Sequence, residues 1–113
     1  MIRRDNITIP QGTDCSIKWD LRDPDDKPFD TTGWSARSQA RRRHTSTTIL
    51  HEWTSGDGSI EFKDGALFLH VPNQVSADWE WKSAVYDIEI VSPGGTVIRV
   101  TEGTMAVSPE VTR

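Results

Sequence analysis

The side chains best suited to chemistry are scattered along the chain and form no familiar catalytic pattern. There are three histidines at well-separated positions, and Cys15 is the single cysteine. Nucleophilic catalysis needs a Ser or Cys beside a base, and the sequence contains neither a Gly-x-Ser-x-Gly turn nor an HExxH pair. Cys15 alternates with Ile17 and Trp19 at core spacing, where a thiol is usually inert. We therefore expect no catalytic residue and a protein that is not an enzyme.

Carboxylates cluster in one proline-containing loop, which holds Asp23, Asp25, Asp26 and Asp30. Hard cations such as Ca²⁺ bind clustered carboxylates, but this spacing differs from the EF-hand loop and lacks its glycine. One cysteine and three scattered histidines do not supply a set of zinc ligands. The sequence therefore predicts no metal ion and no cofactor, and a solvated acidic loop between two strands.

The strongest run of like charge is basic: Arg41, Arg42 and Arg43 precede His44, and no apolar residue follows until Ile49. Such a run can contact phosphates. However, it has no interleaved aromatic residue and the chain has a net charge of −4, so we expect no nucleic-acid partner. A solvated loop and a patch for an acidic protein partner both remain open. We take the three arginines as a candidate docking surface.

Two other segments could bind a partner. Trp53, Trp79 and Trp81 could stack on a carbohydrate or anchor a protein, although core packing explains tryptophans of a small domain as well. The C-terminal run is short and extended, and could add to the sheet edge of a neighbouring protein. Its residues form the second candidate docking surface: Pro109, Glu110, Val111, Thr112 and Arg113.

The apolar pattern predicts the elements that hold these side chains. Val, Ile and Thr total 29 residues and Ala and Leu total 10, a balance that favours strands. Alternating apolar and polar residues predict about eight short strands, among them 15–22, 34–42, 60–63 and 67–71. Asp64-Gly65 predicts a hairpin turn, Gly103 a bulge before a last strand at 105–107, and residues 73–79 at most one helical turn. Residues 1–113 are therefore expected to form one all-β domain, an antiparallel β-sandwich.

The same composition limits where the protein works. No apolar run approaches the roughly 20 residues of a membrane-spanning helix, so we expect no membrane partner. The N-terminus becomes polar at once and lacks an apolar signal region. A single cysteine forms no internal disulfide, which favours synthesis in a reducing cytoplasm.

Two stretches carry a resemblance to a known family. Residues 31–41, TTGWSARSQAR, resemble a segment of small tailed-phage virion proteins with the pattern LTGyt.r.qvR. Residues 85–113, VYDIEIVSPGGTVIRVTEGTMAVSPEVTR, resemble the closing segment of those proteins. With the opening strand, its Gln-Gly turn and the alternating strand that follows, the resemblance covers most of the chain. The chain is similar to the N-terminal domain of phage baseplate upper proteins.

This resemblance implies an immunoglobulin-like β-sandwich that fastens other parts to a phage tail. The expected function is that of a structural virion protein, a baseplate adaptor or minor tail component made in the host cytoplasm. Its expected partners are other virion proteins, in multiple symmetric copies. The chain ends without a receptor-binding module, so a free-standing adaptor is expected. The alternatives are a capsid decoration protein and, less favoured, a carbohydrate-binding β-sandwich module.

Overall fold

A computed structural model describes residues 3–112, which form nine strands and one short helix. The elements in chain order are β1 (Arg3–Arg4), β2 (Ile7–Pro10), β3 (Cys15–Asp20), β4 (Ser35–Arg41), β5 (His51–Thr54), β6 (Ile60–Lys63), β7 (Ala66–Val71), α1 (Asn73–Ala77), β8 (Ser83–Val91) and β9 (Val97–Ser108).

These strands build two sheets. The larger has the order β1-β9-β8-β4-β5, with β2 also paired to β9, and the smaller has the order β3-β7-β6. The predicted all-β sandwich with one short helix is confirmed.

The N-terminal strands run parallel to β9, whereas the sequence predicted only antiparallel pairs. Ile7 pairs with Met105 and Arg3 with Thr101. Strand β9 is also continuous through Gly103, and the predicted bulge there is wrong. The register shift lies elsewhere, between Ile88 and Glu89 of β8, which pair with Thr101 and Arg99. Val100 is therefore the extra residue on β9.

The core is filled by large side chains that face small ones. On β4 the inward residues are Ala36, Ser38 and Ala40, all at most 4% exposed. Ser38 lies directly opposite Trp53 of β5, which is fully buried. A buried Trp removes roughly 200 Å² from water, and at about 25 cal/mol per Å² this contributes about 5 kcal/mol. The small residues on β4 therefore make room for the side chains that stabilise the sandwich most.

The predicted hairpin turn between β6 and β7 is confirmed. Asp64 and Gly65 have φ values of 54° and 75°, the left-handed conformation that a two-residue type I′ turn requires at both positions. Glycine adopts this conformation without cost and aspartate tolerates it.

The single helix is held by neighbouring side chains. The Asp14 carboxylate accepts hydrogen bonds from the backbone and side-chain nitrogens of Asn73 at 2.8 and 2.9 Å. Gln11 Nε2 donates to the carbonyls of Ser76 at 3.2 Å and Trp79 at 3.0 Å. A five-residue helix is unstable alone. Its position therefore depends on the turn that precedes β3. No helix of residues 3–112 is long and apolar enough to cross a membrane.

The strand registers define two ends of the sandwich. At the turn end lie loop 21–34 between β3 and β4 and turn 92–96 between β8 and β9. At the helix end lie loop 42–50 between β4 and β5, helix α1, and segment 109–112. The molecule measures 45 × 30 × 23 Å along its principal axes.

Candidate docking surfaces

The arginine run divides into one structural residue and two exposed ones. Arg41 ends β4 and is half-buried. Its guanidinium donates to Ser46 O at 2.5 Å and to Gln39 Oε1 at 2.8 Å, so it holds the loop that follows. Arg42 and Arg43 are exposed, and neither forms an ion pair within residues 3–112. The free charge of this surface therefore comes from Arg42 and Arg43.

Loop 42–50 has an apolar residue beside these charges. Ile49 is 41% exposed, whereas Leu50 is half-buried and its backbone nitrogen donates to Ala40 O at 2.8 Å. Hydroxyl side chains line the stretch between the arginines and Ile49, at Thr45, Ser46, Thr47 and Thr48. The loop thus offers charge, hydrogen-bonding groups and one apolar contact, which suits a protein surface.

The second candidate surface follows β9 at the same end of the sandwich. Pro109, Val111 and Thr112 are exposed, and Val111 is 91% exposed. The half-buried Glu110 lies over Gly12, whose φ of 78° and missing Cβ allow the carboxylate to approach. Arg113 lies outside the described residues. The structure therefore brings both candidate docking segments to the helix end.

The turn before β3 links this segment to the helix. The backbone nitrogen of Gly12 donates to Ser76 Oγ at 2.9 Å, and Ser76 is fully buried. Segment 109–112, the turn at Gln11 and Gly12, and α1 consequently form one continuous surface.

The outward face of the large sheet carries a paired charge network. Arg37 Nε lies 3.0 Å from Glu89 Oε1, and Arg99 lies 3.7 Å from Asp87 and 3.6 Å from Glu102. Asp87 and Glu89 share this face because they lie two residues apart on β8. Burial, and then the neighbouring Glu89, raises the pKa of Asp87.

Shallow depressions lie over this network, among them one of about 310 Å³ beside Asp87, Arg99 and His44. Its charged side chains mostly neutralise one another, and exposed pairs of this kind add little stability. The face therefore resembles a charged protein surface more than a site for a small ligand.

Three of the five tryptophans, Trp53, Trp79 and Trp81, pack together. Trp53 is fully buried and Trp81 is 6% exposed, whereas Trp79 is half-buried. The rings of Trp79 and Trp81 lie 4.6 Å apart, and His51 lies 4.5 Å from Trp53. Burial lowers the pKa of His51. A carbohydrate platform needs open ring faces, so this arrangement favours the core-packing interpretation of Trp53 and Trp81.

One constellation was not visible in the sequence. On the outward face of the small sheet, Ser16 Oγ lies 2.7 Å from His70 Nδ1, and His70 Nε2 lies 3.2 Å from Glu61 Oε1. Ser16 pairs with His70 across β3 and β7, a register that sequence alone does not reveal. The same types of residue serve in nucleophilic catalysis. Here the side chains of His70 and Glu61 are 31% and 55% exposed, so water competes for every hydrogen bond.

In the acidic loop, the Asp23 carboxylate stabilises a turn of the backbone. Asp23 Oδ1 accepts hydrogen bonds from the backbone nitrogens of Asp25 at 2.9 Å and Lys27 at 3.0 Å. This is an Asx-type turn, in which a side chain takes the place of a backbone acceptor. Among residues 3–112 no three His, Cys, Asp or Glu side chains are placed to hold a metal ion.

Comparison with known proteins assigns no family to the chain. No protein-family model matches the chain, and no curated protein matches it.

Proposed function

We propose that this protein is a structural virion protein of a tailed phage, an adaptor or minor tail component that docks to other virion proteins through its helix end. The observation that carries the proposal is the placement of Arg42 and Arg43. Both are exposed and without an ion pair among residues 3–112, on a loop that also exposes Ile49.

The fold supports the proposal because the two stretches that resemble phage virion proteins lie together. Residues 31–41 contain β4, and residues 85–113 contain most of β8 and all of β9. These strands are neighbours in the large sheet, in the order β9-β8-β4. The resemblance therefore falls on one continuous part of the sandwich.

The interface chemistry also supports docking. Arginine is enriched at protein interfaces because its planar guanidinium binds carboxylates through two hydrogen bonds and stacks on apolar surface. A single loop of this size gives a modest interface. In a symmetric assembly the same interface is repeated. Each contact holds the neighbouring sites close together, so the overall binding becomes stronger than that of one interface.

The test is incorporation of variants into particles. In phage that lacks the wild-type gene, an Arg42→Glu/Arg43→Glu variant is supplied from a plasmid, and its amount in purified particles is measured by quantitative mass spectrometry. We expect at least a tenfold loss of incorporation with an unchanged melting temperature. A Lys18→Glu/Lys63→Glu variant, with the same change of charge on the small sheet, serves as the control and is expected to be incorporated normally. Normal incorporation of the arginine variant would refute this docking surface.

The copy number separates the proposed tail component from a capsid decoration protein. A tail tip or baseplate holds roughly a handful to a few dozen copies, whereas decoration of a capsid requires hundreds, because each follows the symmetry of its structure. The same mass-spectrometric measurement on wild-type particles supplies this number.

A further inference from the structure

We propose that copies of this protein associate end to end, with the helix end of one copy seated on the turn end of the next. The inference rests on the proposed function, because it identifies the acidic partner of loop 42–50 as a second copy of the chain.

Exposed apolar residues are the first observation. Among residues 3–112 the strongly exposed large hydrophobic side chains are Val97 at 47%, Ile98 at 42%, Ile49 at 41% and Val111 at 91%. Val97 and Ile98 lie at the turn end, and Ile49 and Val111 lie at the helix end. Isolated exposed apolar residues are ordinary, but their restriction to the two ends of an elongated molecule indicates that both ends are covered by protein.

The turn end also has an open groove. It has a volume of about 620 Å³, and its apolar lining includes Leu21, Phe29, Ile98 and Val100. Five charged side chains also line it, namely Arg3, Asp20, Arg22, Asp23 and Arg99, and of these Arg3 and Arg99 lie within ion-pair distance of Asp5 and Asp87. The exposed area of the groove is nevertheless mainly apolar.

The sheet edge beside this groove is open in the described part of the chain. Strand β1 pairs with β9 only at Thr101 and Glu102, so no strand of residues 3–112 lies beside Val97 to Val100 on the side away from β8. Open edges with apolar side chains are typical places for contact with another chain.

Charge identifies a second copy as the occupant. Loop 21–34 carries four aspartates against Arg22 and Lys27, and loop 42–50 together with Arg41 carries three arginines and no acid. None of these four aspartates forms an ion pair within residues 3–112, and neither do Arg42 and Arg43. Strand β4, of seven residues, separates the loops by roughly 20 Å, which prevents pairing within one copy. Opposite charges at opposite ends instead pair between copies.

Such a contact joins two different surfaces, so it is heterologous. Every added copy leaves one free end of each kind, and the assembly either closes into a ring or continues as a stack. A ring or stack of small β domains suits a component of a phage tail.

The test is sedimentation velocity of the purified protein over a range of concentrations. At low salt we expect the average mass to rise above the 12.7 kDa of one chain as concentration increases. At about 1 M NaCl, where the screening length falls to about 3 Å, the mass should return toward that of one chain. A wild-type protein that stays monomeric at low salt up to the highest concentration would overturn the proposal.

Two charge variants and their mixture make the test specific. Arg42→Glu/Arg43→Glu should remove association, and so should Asp25→Lys/Asp26→Asn. Asparagine is chosen at position 26 because Asp26 has a φ of 59°, which asparagine tolerates. An equimolar mixture of the two variants should associate again, because the unchanged acidic loop of the arginine variant can meet the unchanged arginine loop of the aspartate variant. Association that neither variant weakens, or a mixture that stays monomeric, would contradict the proposed contact.

The groove is tested separately by Ile98→Thr. This change keeps a β-branched residue on a strand but removes apolar surface, so association should weaken at least severalfold with the melting temperature little changed. Unchanged association would show that the groove takes no part.

The two proposals fail differently. If the wild-type protein is monomeric but Arg42→Glu/Arg43→Glu still prevents incorporation into particles, the docking surface stands and its partner is another protein. If this variant is incorporated normally, the proposed docking function fails whatever the sedimentation shows.

Discussion

At the scale of single residues, Asp5 joins the N-terminal segment to both sheets. Its carboxylate Oδ2 accepts hydrogen bonds from Trp19 Nε1 at 3.0 Å and Thr101 Oγ1 at 2.7 Å, and its backbone carbonyl accepts one from Tyr86 Oη at 2.6 Å. Burial raises the pKa of Tyr86 to about 12. This hydrogen-bonded group could not be predicted from local sequence patterns, because its four members meet only through strand register.

The charge of Asp5 makes stability depend on pH. The hydrogen bond from Thr101, opposed in part by burial, lowers the pKa of Asp5 in the folded protein. A lowered folded pKa stabilises the protein above the unfolded pKa of about 4, and this stabilisation is lost as pH falls below it. We expect Asp5→Asn to reduce the free energy of unfolding by about 1 kcal/mol at pH 7. Urea denaturation should show this difference shrinking toward pH 3; a constant difference would contradict the role of the charge.

Gly103 allows the N-terminal segment to approach β9. A Cβ there would collide with the Asp5 backbone carbonyl oxygen. We expect Gly103→Ala to lower the free energy of unfolding by about 2 kcal/mol, because either β9 or the N-terminal segment must shift. Gly56→Ala is a matched control, since a Cβ at Gly56 meets only Thr54 Oγ1 at 3.9 Å. Equal stability of the two variants in thermal denaturation would refute the close approach.

At the scale of elements, alternation in the sequence predicted most strands of the sandwich because each buries one face. Strands β3, β4, β6 and β7 lie within a few residues of the predicted ranges. The Asp64-Gly65 turn was predictable because its backbone conformation requires particular residue types. Strand β1 was not predicted, since Arg3 and Arg4 are both exposed and show no alternation. Its parallel pairing with β9 joins distant parts of the chain, which local patterns do not encode.

The candidate docking segments were predictable as segments but not in their arrangement. The arginine run and the extended C-terminal segment were identified by composition. Their common position at the helix end, and the internal hydrogen bonds of Arg41, depend on the register of β4 and β8. The buried state of Trp53 likewise follows from its packing in the core cluster, beside Trp79, and not from its neighbours in sequence.

The helix depends on Gln11. Its side-chain amide donates to the carbonyls of Ser76 and Trp79, at and just beyond the helix C-terminus. We expect Gln11→Ala to cost about 1 kcal/mol and to increase hydrogen exchange in α1 and in Trp79. Gln74→Ala, at an exposed position of the same helix, should leave exchange at Trp79 unchanged. Equal effects of the two changes would exclude the proposed anchoring.

At the scale of the whole molecule, the sandwich separates a sheet face of paired charges from two ends that carry unpaired charges. Two sheets close over one buried cluster, and the outward face of the large sheet carries mostly paired charges. Free charge and exposed apolar side chains are found together at the two ends. In our account the ends therefore make the contacts with other proteins, and the sheets hold those ends at a fixed separation.

The most direct test of this account is whether the protein is part of the virion. Particles of the tailed phage that, in this account, encodes the chain are purified by density gradient, stripped of loosely bound protein with high salt, and analysed by quantitative mass spectrometry. The account predicts the chain in intact particles at a fixed ratio to the tail proteins, and its retention in separated tails. Its absence from washed particles, while it remains abundant in the lysate, would contradict the account.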